Sequence, residues 1–311
     1  MPPAPQNVTA GGAPERALFH GSGVALVAPF SAAGLNEPVL RELVRFHLRE
    51  GTDALVVNGS TGEAVTMSAA EQRRAAELVV EEAGGRVPVV VGVGGSDTAA
   101  VARLARAARE AAADALLLAP PPYNKPTQAG LLAHFRAVLD AADLPLIAYN
   151  VPGRTACNLL PATVAELAAD ARLVGVKEAS GDLSQVAELA RRLEGRVAIY
   201  SGNDDQVLPV LALGGRGVIS VLANLAPRET ARLAHAFLEG ALDEALRLQL
   251  RFLPLIALLF REPNPTPVKA ALRLLGFDVG EPRLPLLPAS GETLAALRAE
   301  LRALGLLPGE G

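Results

Sequence analysis

Residues 146–178 read LIAYNVPGRTACNLLPATVAELAADARLVGVKE and hold the pattern that decides the fold. Two short apolar runs, Leu146–Tyr149 and Leu173–Val176, enclose a segment, Pro161–Ala169, whose apolar residues recur at intervals of three and four. Continuous runs of Val, Leu and Ile are typical of parallel strands covered on both faces, and the three-to-four spacing is typical of an amphipathic helix. The stretch therefore predicts a strand, a helix and a second, parallel strand.

The same alternation extends outward in both directions. The predicted strands are Val24–Ala28, Ala54–Val57, Val89–Val93, Ala115–Ala119, Leu146–Tyr149, Leu173–Val176, Val197–Tyr200 and Gly217–Val221. The predicted helices between them are Glu37–Glu50, Ala69–Ala83, Thr98–Ala112, Gln128–Ala142, Pro161–Ala169, Leu183–Leu193 and Asp204–Leu213. Eight strand–helix units within about 200 residues favour a closed barrel over a doubly wound sheet. We predict the α/β class and a (β/α)8 TIM barrel with a C-terminal helical extension.

The strand signals stop near residue 226, which suggests how the chain is divided. Residues 18–226 are predicted to form the barrel and residues 227–311 a helical region. Its predicted helices are Arg228–Glu239, Leu242–Phe260, Pro267–Leu275 and Glu292–Leu304. Residues 1–17 are rich in Pro, Ala and Gly and lack the pattern of a signal peptide, so a disordered tail is expected.

Composition excludes several classes of function. The net charge of −4 comes from 29 basic and 33 acidic residues without a basic cluster, so a nucleic-acid partner is not expected. The single cysteine, Cys157, cannot form an internal disulfide, and the four histidines are scattered, which indicates a metal-free protein of the reducing cytoplasm. The apolar stretch Phe252–Phe260 is too short to cross a membrane and predicts a buried helix.

Lys177 is the first candidate for chemistry, because the reactive groups of such barrels lie at the C-terminal ends of the strands. Its amine either reaches solvent or points into the barrel mouth, where loss of water lowers the pKa and creates a nucleophile. If Lys177 points inward, so does Gly175, which would leave space for a small substrate below the amine. Taken alone, the residue favours a lysine that extends along the surface over a catalytic amine.

Two other strand ends add groups to this picture. Tyr149 would stand beside Lys177 and could relay protons, although a core tyrosine would also fit. Ser60 and Thr61 begin a glycine-containing turn that could hold a carboxylate, although such turns join strands to helices in many α/β proteins. Arg154, in the loop after Tyr149, could bind a second carboxylate or could be an ordinary surface arginine.

The segment Gly92–Asp97 imitates a dinucleotide-binding loop. Asp97 occupies the place of the third glycine, however, and the segment follows the third predicted strand rather than the first. No nucleotide and no other cofactor is therefore expected.

Taken together, the chain from about Phe19 to Leu307 resembles the dihydrodipicolinate synthase and N-acetylneuraminate lyase superfamily of class I aldolases. Besides the strand ends, the matching motifs are Pro121–Pro126, Ser201–Asp204, Gly217–Ser220 and Asn264–Lys269. The resemblance implies a Schiff-base lyase that condenses pyruvate with aspartate semialdehyde in lysine and diaminopimelate biosynthesis. It also implies a homotetramer built as a dimer of dimers.

The resemblance assigns roles to individual residues. It implies that Lys177 forms the Schiff base, that Tyr149 is the central proton relay, and that Ser60 and Tyr123 complete the relay, with Tyr123 reaching into the neighbouring subunit's site. Relatives more often carry threonine where this chain has Ser60, which leaves only fine positioning in doubt.

The same resemblance implies substrate-binding roles for four further residues. They are Thr61, Arg154, Ile219 and Gly202. Arg154 separates the branches of the superfamily, because in the synthase branch an arginine in this loop binds the carboxylate of aspartate semialdehyde.

A further expectation concerns inhibition by lysine. At positions matching the regulatory pocket of lysine-sensitive relatives the chain carries Ala69, Gln72, Ser96, Ala100 and Pro122. Inhibition by lysine is therefore expected to be weak or absent.

Two other functions stay open from the sequence. One is a different pyruvate-dependent aldolase of the same superfamily, acting on a keto-deoxy sugar acid or a hydroxylated keto acid with the same lysine. The other is a barrel that binds a partner without catalysis, against which the combined set of Lys177, Tyr149, Tyr123, Ser60 and Arg154 argues.

Overall fold

The computed structural model describes residues 16–307, so the expected tail at residues 1–17 lies almost entirely outside the described residues. Eight parallel strands close into a barrel in which each strand pairs with its neighbours along the chain and the last pairs with the first. The strands are β1 Gly21–Ala25, β2 Ala54–Val57, β3 Val89–Val93, β4 Ala115–Leu118, β5 Leu146–Asn150, β6 Leu173–Glu178, β7 Ala198–Ser201 and β8 Gly217–Ser220. The predicted fold class is confirmed.

Helices follow the strands and form the outer layer. They are α1 Glu37–Glu50, α2 Ala69–Ala83, α3 Thr98–Glu110, α4 Gln128–Ala142, α5 Pro161–Leu167, α6 Leu183–Leu193, α7 Val207–Ala212 and α8 Pro227–Leu238. Three more lie in the C-terminal region: α9 Leu242–Leu259, α10 Thr266–Leu274 and α11 Gly291–Ala303. A four-residue helical turn, Pro152–Thr155, lies between β5 and α5. Several begin at caps readable from the sequence, such as Ser68, whose hydroxyl accepts the Glu71 N–H while the Glu71 carboxylate accepts the Ser68 N–H.

The first strand differs most from its prediction. The apolar run Val24–Ala28 predicts a strand three residues too late, because Gly21, Ser22 and Gly23 are in extended structure but are not apolar. Residues 26–28 are buried in the loop that follows. A hairpin of Phe30–Ser31 and Gly34–Leu35 was not predicted at all, since two-residue strands carry too little pattern.

Alternation along the strands separates two cores. One set of side chains faces the helices and the other fills the barrel interior, with Phe19 stacked on Tyr200 at 4.4 Å between ring centroids. The Tyr200 hydroxyl donates to the Phe19 carbonyl oxygen at 2.7 Å, which fixes the two rings inside the barrel. Barrels of this kind carry their sites at the C-terminal ends of the strands.

The boundary between barrel and helical region stays a prediction, and we propose a later one. Helix α8 packs against β1 and its residues share a buried cluster with β8, as expected of the helix that completes the eighth strand–helix unit. A division after Leu238, rather than at residue 226, keeps that unit whole. No helix in the described range 16–307 is long and apolar enough to cross a membrane. The stretch Phe252–Phe260 is helical as far as Leu259, as predicted, but it is only partly buried, since Pro254, Ala257 and Phe260 are exposed.

An ion pair ties α8 to the N-terminal end of the barrel. His235 Nε2 lies 3.0 Å from both carboxylate oxygens of Asp53, and one of these oxygens also accepts the Ser22 N–H of β1 at 2.7 Å. The hydrogen bond with Asp53 raises the pKa of His235, partial burial and Arg232 oppose the shift, and Glu239 supports it.

We predict that this pair stabilises the fold only while His235 is protonated. A group whose pKa is raised on folding stabilises fully below its unfolded pKa of 6.5 and loses that contribution as the pH rises through the folded value. The difference in unfolding free energy between the native chain and His235→Gln should therefore shrink as the pH rises above 6.5 and through the folded pKa of His235. Urea denaturation at several pH values measures it, and a difference independent of pH would contradict the prediction.

Candidate active site

The site lies at the carboxyl ends of the strands, around Lys177. Lys177 lies within β6 rather than beyond it, and its backbone is in register with Tyr149 of β5. Its side chain points inward and is 5% exposed, so the alternative of a lysine extending along the surface is wrong.

The amine is held in a narrow space. Its Nζ atom lies 4.4 Å from the centroid of the Tyr149 ring, and a Cβ atom on Gly202 would stand 3.1 Å from Lys177 Cε and 2.6 Å from Ala179 Cβ. Because Gly202 has no side chain, the lysine can run upward beside β7. Only glycine leaves this path open without moving the reactive group.

The surroundings lower the pKa of Lys177 to about 8. Burial is the largest cause, because removal of water disfavours the charged ammonium. The carboxylate of Asp204 opposes the shift and the guanidinium of Arg154 adds to it. Near neutral pH a usable fraction of the amine is therefore the free base, the form that attacks a carbonyl group.

Asp204 is the buried residue whose negative charge favours the protonated form of this amine. One of its oxygens accepts the N–H groups of Val221 and Leu222 at 3.0 and 2.9 Å, and the Ser220 hydroxyl nearby also lowers its pKa. These donors lower the pKa of Asp204, whereas burial, the larger effect, raises it. The carboxylate is thus fixed by the loop after β8 rather than by the lysine.

Tyr149 and Ser60 both line the cavity beside the amine. Burial raises the pKa of Tyr149, while the Arg154 charge and the nearby Ser60 hydroxyl lower it. The phenol therefore keeps its proton at neutral pH and can donate it, and Ser60 offers a second hydroxyl along the same path.

Thr61 and Arg154 are both connected to Asn264, a residue of the C-terminal region. The Asn264 Nδ2 atom donates to Thr61 Oγ1 at 2.9 Å, and Arg154 Nη2 donates to the Asn264 carbonyl oxygen at 3.3 Å. Since Thr61 Oγ1 already accepts a hydrogen bond, its own hydroxyl proton can be directed at a ligand. Arg154 stands on the short helical turn Pro152–Thr155.

These groups surround one small cavity of about 80 Å³. Its lining residues are Ala25, Val56, Gly59, Ser60, Thr61, Leu117, Tyr149, Val151, Arg154, Lys177, Ala179, Gly202, Asn203, Val221, Phe260 and Asn264. A wider cleft of about 560 Å³ adjoins it, shares Ser60, Tyr149 and Arg154 with it, and extends to Pro122. The cavity admits a small ligand, and the cleft gives it an approach.

Most of the residues singled out from the sequence meet here. Those that line the cavity are Lys177, Tyr149, Ser60, Thr61, Arg154 and Gly202. Ile219 points into the barrel interior but is not among the lining residues, and Tyr123 is 90% exposed in the loop after β4. The roles expected for these residues stay predictions.

The prediction that Gly175 leaves space for a substrate below the amine is wrong. A Cβ atom there would lie 2.9 Å from the Tyr200 ring, so the space that this glycine leaves is filled by a core side chain and not by substrate.

Sequence reasoning missed two members of the site. Asp204 and Asn264 both lie in motifs that carry the family resemblance, yet neither was assigned a role. Asn264 lies between two prolines and was the easier of the two to recognise in the sequence, but its contact with Thr61 joins residues 203 positions apart.

In residues 16–307 no group of three or more His, Cys, Asp or Glu side chains is placed to hold a metal ion.

The fold and this site together define a barrel enzyme of the Schiff-base-forming type, because a buried amine of lowered pKa stands beside a phenol in a closed cavity. A sequence model of the dihydrodipicolinate synthetase family matches residues 18–304. The chain belongs to this family, and the predicted family and lyase class are confirmed.

Individual relatives agree with this assignment. A 4-hydroxy-tetrahydrodipicolinate synthase from Thermoanaerobacter is 49% identical over 93% of this chain and 98% of its own length. The crystal structure of a dihydrodipicolinate synthase from Thermotoga maritima is 40% identical with a TM-score of 0.91, covering 93% of this chain and all of that one. A dihydrodipicolinate synthase from Acinetobacter baumannii complexed with pyruvate is 38% identical with a TM-score of 0.90, covering 93% and 99%.

We predict that the reactivity of the Lys177 amine titrates near pH 8 rather than near the ordinary lysine value of 10.5. Its acylation rate, measured by mass spectrometry of the Lys177 peptide, should rise about tenfold per pH unit below pH 8 and then level off. Arg154→Ala should move the midpoint upward and Asp204→Asn should move it downward, because each removes one of the opposing charges. A midpoint near 10.5 in the native chain would contradict this account of the site.

Proposed function

We propose that Lys177 catalyses the condensation of pyruvate with aspartate 4-semialdehyde, the reaction of a 4-hydroxy-tetrahydrodipicolinate synthase. One observation carries the proposal: the amine is buried, has a pKa lowered to about 8, and faces a cavity that holds hydroxyl groups and one guanidinium. That set suits a small keto acid and an acidic aldehyde.

The first step forms the Schiff base. The free amine of Lys177 attacks the keto carbon of pyruvate, the carbonyl oxygen takes a proton, and the resulting carbinolamine loses water to give an iminium ion. Tyr149 supplies and recovers the proton, with the Ser60 hydroxyl nearby. Asp204 provides the buried negative charge that favours the iminium over neutral states.

The second step joins the two substrates. Tyr149, deprotonated when it protonates the departing hydroxyl, removes a methyl proton and turns the iminium into an enamine. The enamine carbon attacks the aldehyde carbon of the semialdehyde, and the aldehyde oxygen takes the proton back from Tyr149 to become a hydroxyl. The amino group of the product then attacks the iminium carbon and displaces Lys177; its proton passes to Tyr149, the ring closes and the free amine is restored. One water leaves overall, and every step uses groups of this chain and its substrates.

The two carboxylates have separate places in this proposal. Ser60 and Thr61 receive the carboxylate of pyruvate, since both hydroxyls line the cavity and that of Thr61 is oriented by Asn264. Arg154, at the side shared with the wider cleft, receives the carboxylate of the semialdehyde. Gly202 and Ile219 complete the substrate-binding set, the first by giving the lysine its path.

Tyr123 acts from a neighbouring subunit in this proposal. Its side chain is 90% exposed and follows Pro122, which lines the cleft shared with Ser60, so a second copy of the chain placed against this loop could receive the phenol. The exposed leucines Leu242, Leu246 and Leu250 recur every four residues along α9 and offer a second apolar surface. These two surfaces support a homotetramer built as a dimer of dimers.

We further propose that the enzyme works in the cytoplasm. The single cysteine, Cys157, is buried and excludes an internal disulfide, as is usual in reducing compartments.

We predict that borohydride in the presence of pyruvate attaches a stable adduct to Lys177, because hydride reduces the iminium to a secondary amine. Peptide mapping is direct, since the chain has only three lysines, Lys125, Lys177 and Lys269. Lys177→Arg retains the cation without the nucleophile and should give no adduct. No adduct in the native chain, or one confined to Lys125, would overturn the proposal.

We predict that Arg154→Ala impairs use of the semialdehyde selectively. Loss of a charged, two-pronged hydrogen bond should lower kcat/KM for aspartate semialdehyde about 10- to 100-fold, whereas trapping by pyruvate alone should persist. Arg154→Lys should rescue only part of the loss, because lysine cannot bind in bidentate fashion. If retro-aldol cleavage of keto-deoxy sugar acids is the faster reaction and is unaffected by Arg154→Ala, the acceptor has been misassigned.

A further inference from the structure

A buried ion pair lies behind the hydroxyl-bearing turn, outside the cavity. Lys269 of α10 is fully buried, and its Nζ atom donates to Glu63 Oε1 at 2.8 Å and to the carbonyl oxygens of Ala28 and Glu281, each at 3.1 Å. The second carboxylate oxygen of Glu63 accepts the Arg283 N–H at 2.8 Å. Neither residue lines the cavity, and no step of the proposed reaction uses them.

Glu63 is the last residue of the turn that carries Ser60 and Thr61. Its backbone N–H donates to the Ser60 carbonyl oxygen at 3.1 Å, and its φ of +52° is in the left-handed region that residues with a side chain rarely adopt. The side chain that leaves this backbone is the one held by Lys269. The ion pair therefore acts on the end of the turn, three residues from Ser60.

A second connection reaches the same turn from the same part of the chain. Asn264 donates to Thr61 Oγ1 at 2.9 Å and lies five residues before Lys269. The C-terminal segment 264–283 thus holds the turn at Thr61 through a hydroxyl and at Glu63 through a carboxylate. A turn held at both points has little freedom to move its hydroxyl groups.

Stability alone does not explain why this position is ionic. Burying two charges removes both from water, and well-packed apolar residues of similar volume often stabilise a protein equally well. An apolar pair would fill the space but would not specify one position for Glu63, since apolar contacts are non-directional. The ionic pair, with its four hydrogen bonds, does specify one.

We propose that Glu63 and Lys269 are positioning residues, whose ion pair fixes the turn so that Ser60 and Thr61 can receive the carboxylate of the keto acid. The inference rests on the proposed function. It predicts that the pair controls discrimination between a charged and a neutral ketone rather than the reactivity of the Lys177 amine.

The test compares borohydride trapping with pyruvate and with pyruvamide, a neutral ketone of the same size. In Glu63→Gln and in Lys269→Met the pyruvate concentration for half-maximal trapping should rise about 10- to 100-fold, as small displacements of a binding group produce. The pyruvamide concentration for half-maximal trapping should change much less, because a neutral ketone gains little from the hydroxyl groups that receive a carboxylate. The comparison uses half-maximal concentrations and not saturated rates, since Ser60 also serves the proton relay. Glu63→Asp retains the charge that pairs with Lys269 but shortens the side chain, so we expect it to fold more readily than the other two variants. It should lose part of the preference for pyruvate.

Leu297→Ala is the matched control, because Leu297 is fully buried in α11, away from the turn. It should lower the melting temperature without changing the preference for pyruvate. The inference is overturned if all three variants at the ion pair keep the native preference for pyruvate over pyruvamide. It is also overturned if they lose no more of that preference than Leu297→Ala does at an equal loss of melting temperature, because the pair is then merely structural. A native chain that traps neither ketone overturns the proposed function as well.

Discussion

The Lys177 side chain lies at the carboxyl ends of the strands, between Gly202 and the Tyr149 ring, and its amine is almost completely buried. Burial disfavours the charged ammonium, and the positive charge of Arg154 disfavours it further, whereas the negative charge of Asp204 stabilises it. Neither residue forms a direct salt bridge with the amine. The resulting pKa of about 8 is a compromise between desolvation and attraction to Asp204. Reactivity at neutral pH depends on that compromise, because a fully paired lysine would stay protonated.

Closure of the barrel is what makes this burial possible. Phe19 and Tyr200 stack inside the barrel, and a small cavity lies beside the lysine. Tyr149 and Lys177 are in register on adjacent strands, so the backbone pairing by itself places the phenol beside the amine. The turn that carries Ser60 and Thr61 is different, since its position depends on the C-terminal region through Asn264 and Lys269. The helical addition to the barrel is thereby part of the site.

Much of the fold was predictable because its signals are local. The helices Glu37–Glu50 and Gln128–Ala142 were predicted to the residue, since apolar spacing and caps act within a few turns. The strand β1 was misplaced because glycine and serine can be buried in a strand as well as valine can. The same limit applies to Gly175. The alternation correctly predicted that this residue faces the barrel interior, but the space beside it is filled by Tyr200, a residue of another strand.

Periodicity and short motifs are properties of neighbouring residues, so they were enough to predict the class of fold, the family and most of the strand-end residues that meet in the cavity. The folded structure determined whether the Lys177 amine is buried with a lowered pKa or extends along the surface, since that pKa depends on burial and on Asp204 and Arg154. It also decided which residues hold the turn, because the contacts of Thr61 with Asn264 and of Glu63 with Lys269 each join residues more than 200 positions apart. Desolvation and long-range contacts exist only once the chain has closed on itself.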